Sequence, residues 1–185
     1  MEQINLSLVE TALKIAVVSH TGQVRRSDGS PYIVHSVMVA RMLDRAGFSD
    51  EVVAAALVHD VLEDTKVTES ELRLALGDAV VDIVFGVSEE TELPWEERKQ
   101  KYIDRVTASG EAVRAVSVAD KIHNAESLLA AAEVMGAEVW TVFNRGKQQK
   151  LWFESSLYDS LLPHFKHPLM ARYKVLIDAM KLLPE

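Results

Sequence analysis

Apolar residues recur along this chain in steps of three and four, and almost nowhere in steps of two. That period places them on one face of a helix, whereas a half-buried strand needs alternation. Leu6, Val9, Leu13, Ala16 and Val17 predict a first helix from about Asn5 to His20. The stretch Thr21 to Pro31, with Gly22, Ser27, Asp28 and Gly29, reads as a structured loop. A second helix starts near Tyr32, just after Pro31, and ends at Gly47. A third is predicted from Asp50 to Glu63 on Val52, Val53, Ala56, Leu57 and Val61. Thr68-Glu69-Ser70-Glu71 has the form of a capping box and opens a fourth helix that Gly77 closes. Another begins near Asp78, and Pro94, inside the acidic loop Glu89 to Glu97, begins the next. Gly110 and Gly136 punctuate later helices, and the runs Trp140 to Phe165 and Pro168 to Leu183 read as the final two. With no repeat, low-complexity tract or linker, the expectation is one compact all-α domain over residues 1–185.

Composition narrows the chemistry. The chain is 48% apolar and 26% charged over 185 residues, which suits an ordinary globular domain with a proper core. There is no cysteine, so disulfides, thiolate metal sites and a cysteine nucleophile are excluded. Any metal must then sit on imidazole and carboxylate. Met1 to Ser7 has neither a basic segment nor an apolar run of the secretory type, and no stretch of about 18 apolar residues exists to span a membrane. A cytoplasmic location is therefore expected, without membrane partners. A net charge of −8 argues against nucleic-acid binding. It leaves a small anionic substrate open, because a metal ion and a few placed Arg or Lys residues override the global field inside one cleft.

Three segments concentrate chemistry: Pro31-Tyr32-Ile33-Val34-His35, then Ala56-Leu57-Val58-His59-Asp60-Val61-Leu62-Glu63-Asp64-Thr65, then Val118-Ala119-Asp120-Lys121-Ile122-His123-Asn124. In the middle one, His59, Asp60, Glu63 and Asp64 stand at i, i+1, i+4 and i+5, two adjacent pairs on one side of a helix. At the C-terminal end of the expected helix these carboxylates oppose the macrodipole, at a few tenths of a kcal/mol each, so a cation is needed to compensate. Each residue alone has a plainer reading. An acidic helix end is usually solvated, His35 on an apolar helix is a satisfied core histidine, and Asp120 pairs with Lys121. Together, His35, the His59-Asp60 pair and Asp120 form a mixed nitrogen and oxygen ligand set of the kind that metal-assisted hydrolysis uses.

The order His, His-Asp, Asp resembles the HD superfamily of phosphohydrolases. More closely, His20-x-Gly22-Gln23-x-Arg25-x-Ser27, Pro31-Tyr32-Ile33-x-His35, His59-Asp60-x-x-Glu63-Asp64-Thr65 and Ala119-Asp120-Lys121-x-His123-Asn124 are similar to the hydrolase domain of RelA/SpoT-type alarmone enzymes. The chain is similar in length to the small stand-alone hydrolases, and the resemblance covers roughly Ala12 to Leu129. It implies that His35, His59, Asp60 and Asp120 hold a divalent metal, usually Mn²⁺. Glu63 and Asp64 would position and activate the attacking water. Arg25 would pack on the purine base, Asn124 would sit at the nucleoside and Ser127 near the ribose, with Arg145 and Lys99 binding phosphate. Asp28 lengthens the Arg25 turn by one residue, and Glu126 stands where an arginine is common, removing a positive charge expected near the site. No synthetase domain is expected. The activity implied is hydrolysis of the 3′-diphosphate of a guanosine alarmone, releasing pyrophosphate. The alternatives are another phosphate ester (an adenosine alarmone, the 2′-phosphate of NADPH, a nucleoside monophosphate) and a non-catalytic nucleotide sensor, against which the intact Glu63-Asp64 pair weighs.

Overall fold

The computed structural model describes residues 7–90 and 92–185, so Asn5 and Leu6 of the first expected helix lie outside the described residues. The rest is helical, as the apolar period requires. The elements are α1 (Leu8–Ser19), α2 (Ile33–Arg45), α3 (Asp50–Val58), α4 (Val61–Asp64), α5 (Glu69–Leu76), α6 (Asp78–Val87), α7 (Trp95–Ala108), α8 (Glu111–Met135), a 3₁₀ helix (Gly136–Val142), α9 (Gly146–Leu161) and α10 (Pro168–Leu182). None of the described helices is long and apolar enough to cross a membrane.

Two helices organise the core. Every residue of α3 from Val52 to Val58 is buried, and the small side chains of Ala54, Ala55 and Ala56 let α1 and α2 pack close to it. The 25-residue α8 is the central strut, with Ala115, Val116, Ala119 and Ile122 in the core and α2, α3, α6, α7 and α10 against it. Local signals set several boundaries. Ser7 caps α1 by accepting from the Glu10 amide at 3.2 Å. The capping box forms as expected, with Thr68 and Glu71 exchanging bonds, and Gly77 ends α5 at φ 82°, a conformation that disfavours any side chain.

Two expected helices are divided. The helix from Asp50 stops at Val58 and restarts at Val61. The His59 ring explains the break, because its Nδ1 lies 2.8 Å from the Ala56 carbonyl and engages the side of the chain where the helix would have continued. Glu63 and Asp64 therefore stand in the first turn of a new, short helix rather than at the end of a long one. The macrodipole argument for a compensating cation loses its footing, and the case for a metal must rest on side-chain geometry. The run Trp140 to Phe165 likewise splits into the 3₁₀ helix, a turn at Phe143 to Arg145, and α9, with Gly146 at φ 70° making the turn. The loop between α1 and α2 is pinned by an isolated bridge between Val24 and Pro31 and by the Arg25 amide on the Ser30 carbonyl at 2.8 Å.

Candidate active site

Those breaks bring the three sequence segments to one place. His35 comes from the first turn of α2, His59 and Asp60 from the break between α3 and α4, and Asp120 from the middle of α8. His35 Nε2 lies 3.1 Å from Asp120 Oδ1 and 3.3 Å from His59 Nε2. His59 Nε2 is 3.0 Å from Asp60 Oδ2 and 3.8 Å from Asp120 Oδ1. One donor atom from each of His35, His59 and Asp120 fits within 4.8 Å of the others, and Asp60 joins from the side.

These donors suit a divalent cation. The His59 Nδ1–H donates to the Ala56 carbonyl, which leaves the Nε2 lone pair turned inward. His35 Nδ1 faces His123 Nδ1 at 2.8 Å, so one proton lies between the two rings. With that proton on His35, its Nε2 lone pair is also turned inward. His123 serves as the neutral acceptor, because burial, helped by His35 and Arg25, pushes its pKa down to about 4. Two lone pairs 3.3 Å apart beside two carboxylates repel one another unless a cation sits among them. The carboxylates are braced as well. Tyr32 donates to Asp60 Oδ2, and Asn124 and Lys121 donate to the two oxygens of Asp120, Lys121 at 2.7 Å. Burial would raise the Asp120 carboxyl, but the Lys121 ammonium opposes it, and the carboxyl stays well below the usual range.

Beside this cluster lies the acidic pair. Glu63 Oε1 accepts the Glu89 amide at 2.8 Å, and burial, with Asp60 and Glu89 nearby, raises its pKa to about 7. Asp64 is raised too, first by burial and then by Asp60, and it faces the cleft. Gln23 holds the Asp64 carbonyl at 2.8 Å and is itself 2.7 Å from His20 Nδ1, which ties the α1–α2 loop to the acidic pair.

The cleft above encloses about 700 Å³, and seven cations line it: Arg25, Arg26, Arg98, Lys99, Lys121, Arg145 and Lys150. Arg25 donates to Asn124 Oδ1 at 2.9 Å, so these two residues meet across 99 positions of sequence. Arg25 Nε is buried and among the described residues has no partner. Lys99 bonds Glu89, and Arg98 Nε lies 2.9 Å from the other Glu89 oxygen. Arg145 is half exposed and pairs with Glu96 at 3.1 Å.

Not every sequence expectation lands here. The Ser127 hydroxyl turns back to the His123 carbonyl at 2.9 Å, and Ser127 is not among the residues lining the cleft. Glu126 pairs with Arg172 and is outside that lining too, so the residue standing for an arginine brings no negative charge to the cleft wall. Sequence reasoning passed over Tyr32, His123 and Lys121 as site residues, although all three stand inside the quoted motifs. It missed Lys150 and Phe143 entirely, because only the turn before Gly146 brings them to the cleft.

An all-helical protein with such a donor set has the build of a divalent-metal protein. The chain belongs to the HD domain family, whose model matches residues 12–145. Over 124 residues it is 37% identical to the guanosine-3′,5′-bis(diphosphate) 3′-pyrophosphohydrolase MESH1 of Danio rerio, a match spanning 65% of this chain and 68% of that protein. A crystal structure of lmo0812 from Listeria monocytogenes EGD-e superposes with a TM-score of 0.75 at 35% identity, covering 79% of this chain and 97% of the other. A metazoan ortholog of SpoT, described as hydrolysing ppGpp, superposes with a TM-score of 0.79 over 98% of this chain and 99% of the other, and at 22% identity it supports the shared fold alone.

Proposed function

We propose that this HD-domain protein hydrolyses the 3′-diphosphate of guanosine alarmones, releasing pyrophosphate, and that residues 1–185 form one domain for that task. The observation that carries this reading is the junction of the two halves of the site. A buried His35, His59, Asp120 cluster with Asp60 beside it lies under a cleft walled by seven cations, with Glu63 and Asp64 at the boundary. The Danio rerio relative, a guanosine-3′,5′-bis(diphosphate) 3′-pyrophosphohydrolase, favours guanosine alarmones among phosphate esters.

His35, His59, Asp60 and Asp120 would hold the ion, taken here as Mn²⁺. When bound, it supplies positive charge to the diphosphate and acidifies a water. Water adds to the phosphorus next to the ribose, the bond from that phosphorus to O3′ breaks, and pyrophosphate and a 3′-hydroxyl depart. Glu63 presents Oε2 as the free proton acceptor, since Oε1 is engaged by the Glu89 amide. Asp64, exposed to the cleft, orients the water against it. Lys99 and Arg145 engage phosphate oxygens, and Arg25 stacks on the purine while Asn124 holds the nucleoside. Ser127 can reach the ribose only by giving up its bond to the His123 carbonyl, so its contribution is the smallest of the set. A cytoplasmic site of action belongs to the same reading.

The test is to incubate the metal-loaded protein with guanosine alarmones, adenosine alarmones and NADPH and to identify the products. Pyrophosphate from the guanosine substrates is expected. Orthophosphate from NADPH as the main product, or no turnover of any of them, would replace this reading with one of the alternatives.

A further inference from the structure

Glu154 on α9 is completely buried and lies outside the metal cluster. A carboxylate in that position is costly unless both oxygens are paired. They are: Tyr173 of α10 donates to one, and Lys150, one turn earlier on α9, donates to the other. Tyr173 is itself fully buried, and burial together with Glu154 pushes its phenol well up, keeping it a donor. Lys150 is different. While paired with Glu154 it also lines the cleft, with its ammonium 5.3 Å from the centre of the Phe143 ring. The neighbouring Lys147 instead donates to the Leu183 carbonyl at 2.6 Å, so facing the cleft is not general to the lysines of α9.

If Glu154 only stapled α9 to α10, an apolar pair of similar size would do as well or better. The arrangement makes more sense as the third member of a set. Lys99 is tethered by Glu89, Lys121 by Asp120 and Lys150 by Glu154, each ammonium on its own carboxylate and all three lining one cleft. Lys99 and Lys121 lie over the same Phe153 ring at 4.6 and 5.5 Å. Burial, with Lys121 and Lys150 close by, lowers the Lys99 pKa even against the opposing pull of Glu89. A diphosphate offers several oxygens to such a set, whereas a single phosphate offers fewer.

We propose that Lys150 is a phosphate-binding residue that gives the cleft its preference for a diphosphate group, and that Glu154 and Tyr173 are positioning residues that hold its ammonium toward the cleft. This deepens the alarmone reading and rests on it only for the identity of the nucleotide.

Calorimetric titration in the presence of a chelator, with inorganic pyrophosphate and with orthophosphate, tests the binding without turnover. Lys150→Gln should weaken pyrophosphate binding about tenfold, the scale of one lost charge-assisted contact, and orthophosphate binding no more than about twofold. Tyr173→Phe should weaken pyrophosphate about two- to threefold alone and add nothing in the Lys150→Gln background, because both act through one ammonium. In the metal-loaded enzyme both variants should raise KM for the diphosphate nucleotide with kcat near wild type. Glu154→Gln, which keeps size and hydrogen bonding, should behave as Tyr173→Phe does if that variant unfolds by circular dichroism. The proposal is overturned if wild type binds no pyrophosphate, if Lys150→Gln binds it as wild type does, or if the Tyr173 effect persists undiminished in the double variant. Pyrophosphate binding through Lys150 without guanosine alarmone turnover would remove the alarmone reading and leave this inference standing. Alarmone turnover insensitive to Lys150 would do the reverse.

Discussion

The two ends of the cleft are built on opposite plans. At the metal end the donors are short side chains, each fixed from behind: His59 by the Ala56 carbonyl, His35 by His123, Asp60 by Tyr32, Asp120 by Asn124 and Lys121. At the cation end the groups are long side chains, tethered only at their tips by Glu89, Glu96 and Glu154. The first plan fixes positions to fractions of an ångström and tolerates little. The second fixes charge and leaves reach, which suits a substrate whose phosphates arrive flexible. The cost of a substitution should therefore fall steadily from the buried end to the open one.

The largest effects belong to the buried end. His59→Ala and Asp120→Ala should each lose the bound metal and nearly all turnover, while the helical fold survives at reduced stability. Elemental analysis of the purified variants reads this directly, and wild-type metal content in both would break the contrast at its strongest point.

Next come the residues at the boundary. Glu63→Gln and Asp64→Asn should keep the metal and lower kcat by roughly 10²-fold or more, the usual scale for acid–base groups. Glu63 has a raised pKa of about 7, and it works as a base only when deprotonated. Turnover should thus rise with pH up to about 7, with the bound cation moving that limb downward, and Glu63→Gln should abolish the limb. A pH profile of unchanged shape in that variant would assign the base elsewhere.

Arg25→Lys should cost about 1 kcal/mol in nucleotide binding, because lysine keeps the charge but cannot stack on a purine or span to Asn124 in the same way. Hydrolysis of a small phosphate ester without a base should change little. Equal losses on both substrates would mean that Arg25 serves phosphate or the loop. A smaller effect still is expected at Arg145, which is half exposed and already paired with Glu96, so that Arg145→Gln should raise KM by no more than about threefold. A loss there as large as at Glu63 would erase the gradient.

The sequence spoke clearly where one residue decides one backbone state, as Thr68 and Gly77 do at the ends of α5. It also brought His35, His59, Asp60 and Asp120 together, because their types and order carry the chemistry. It was silent where a side chain acts on the backbone at a distance that periodicity does not register. The break at His59 follows from a ring nitrogen engaging a carbonyl, and nothing in the apolar pattern of Val52 to Val61 marks it. Lys150 and Glu154 sit one helical turn apart like any surface ion pair, and only packing against Tyr173 reveals that this one is buried. Ser127 and Glu126 erred the other way, since a position in a motif does not say which way a side chain turns.

With an ion bound, the proposed metal cluster would also be a cross-link. Its donors come from stretches far apart along the chain, with 24 positions between His35 and His59 and a longer span on to Asp120. In the unfolded protein those segments diffuse independently, and bringing them together costs closure entropy that grows with the logarithm of each span. An ion that binds only the assembled set offsets that cost, by about 2.7 kcal/mol at a concentration one hundred times its Kd. Chelation should therefore do more than silence the enzyme. It should lower the melting temperature, slacken the α3–α4 junction first, and leave α9 and α10, held by Glu154 and Tyr173, as the last part to exchange their amides.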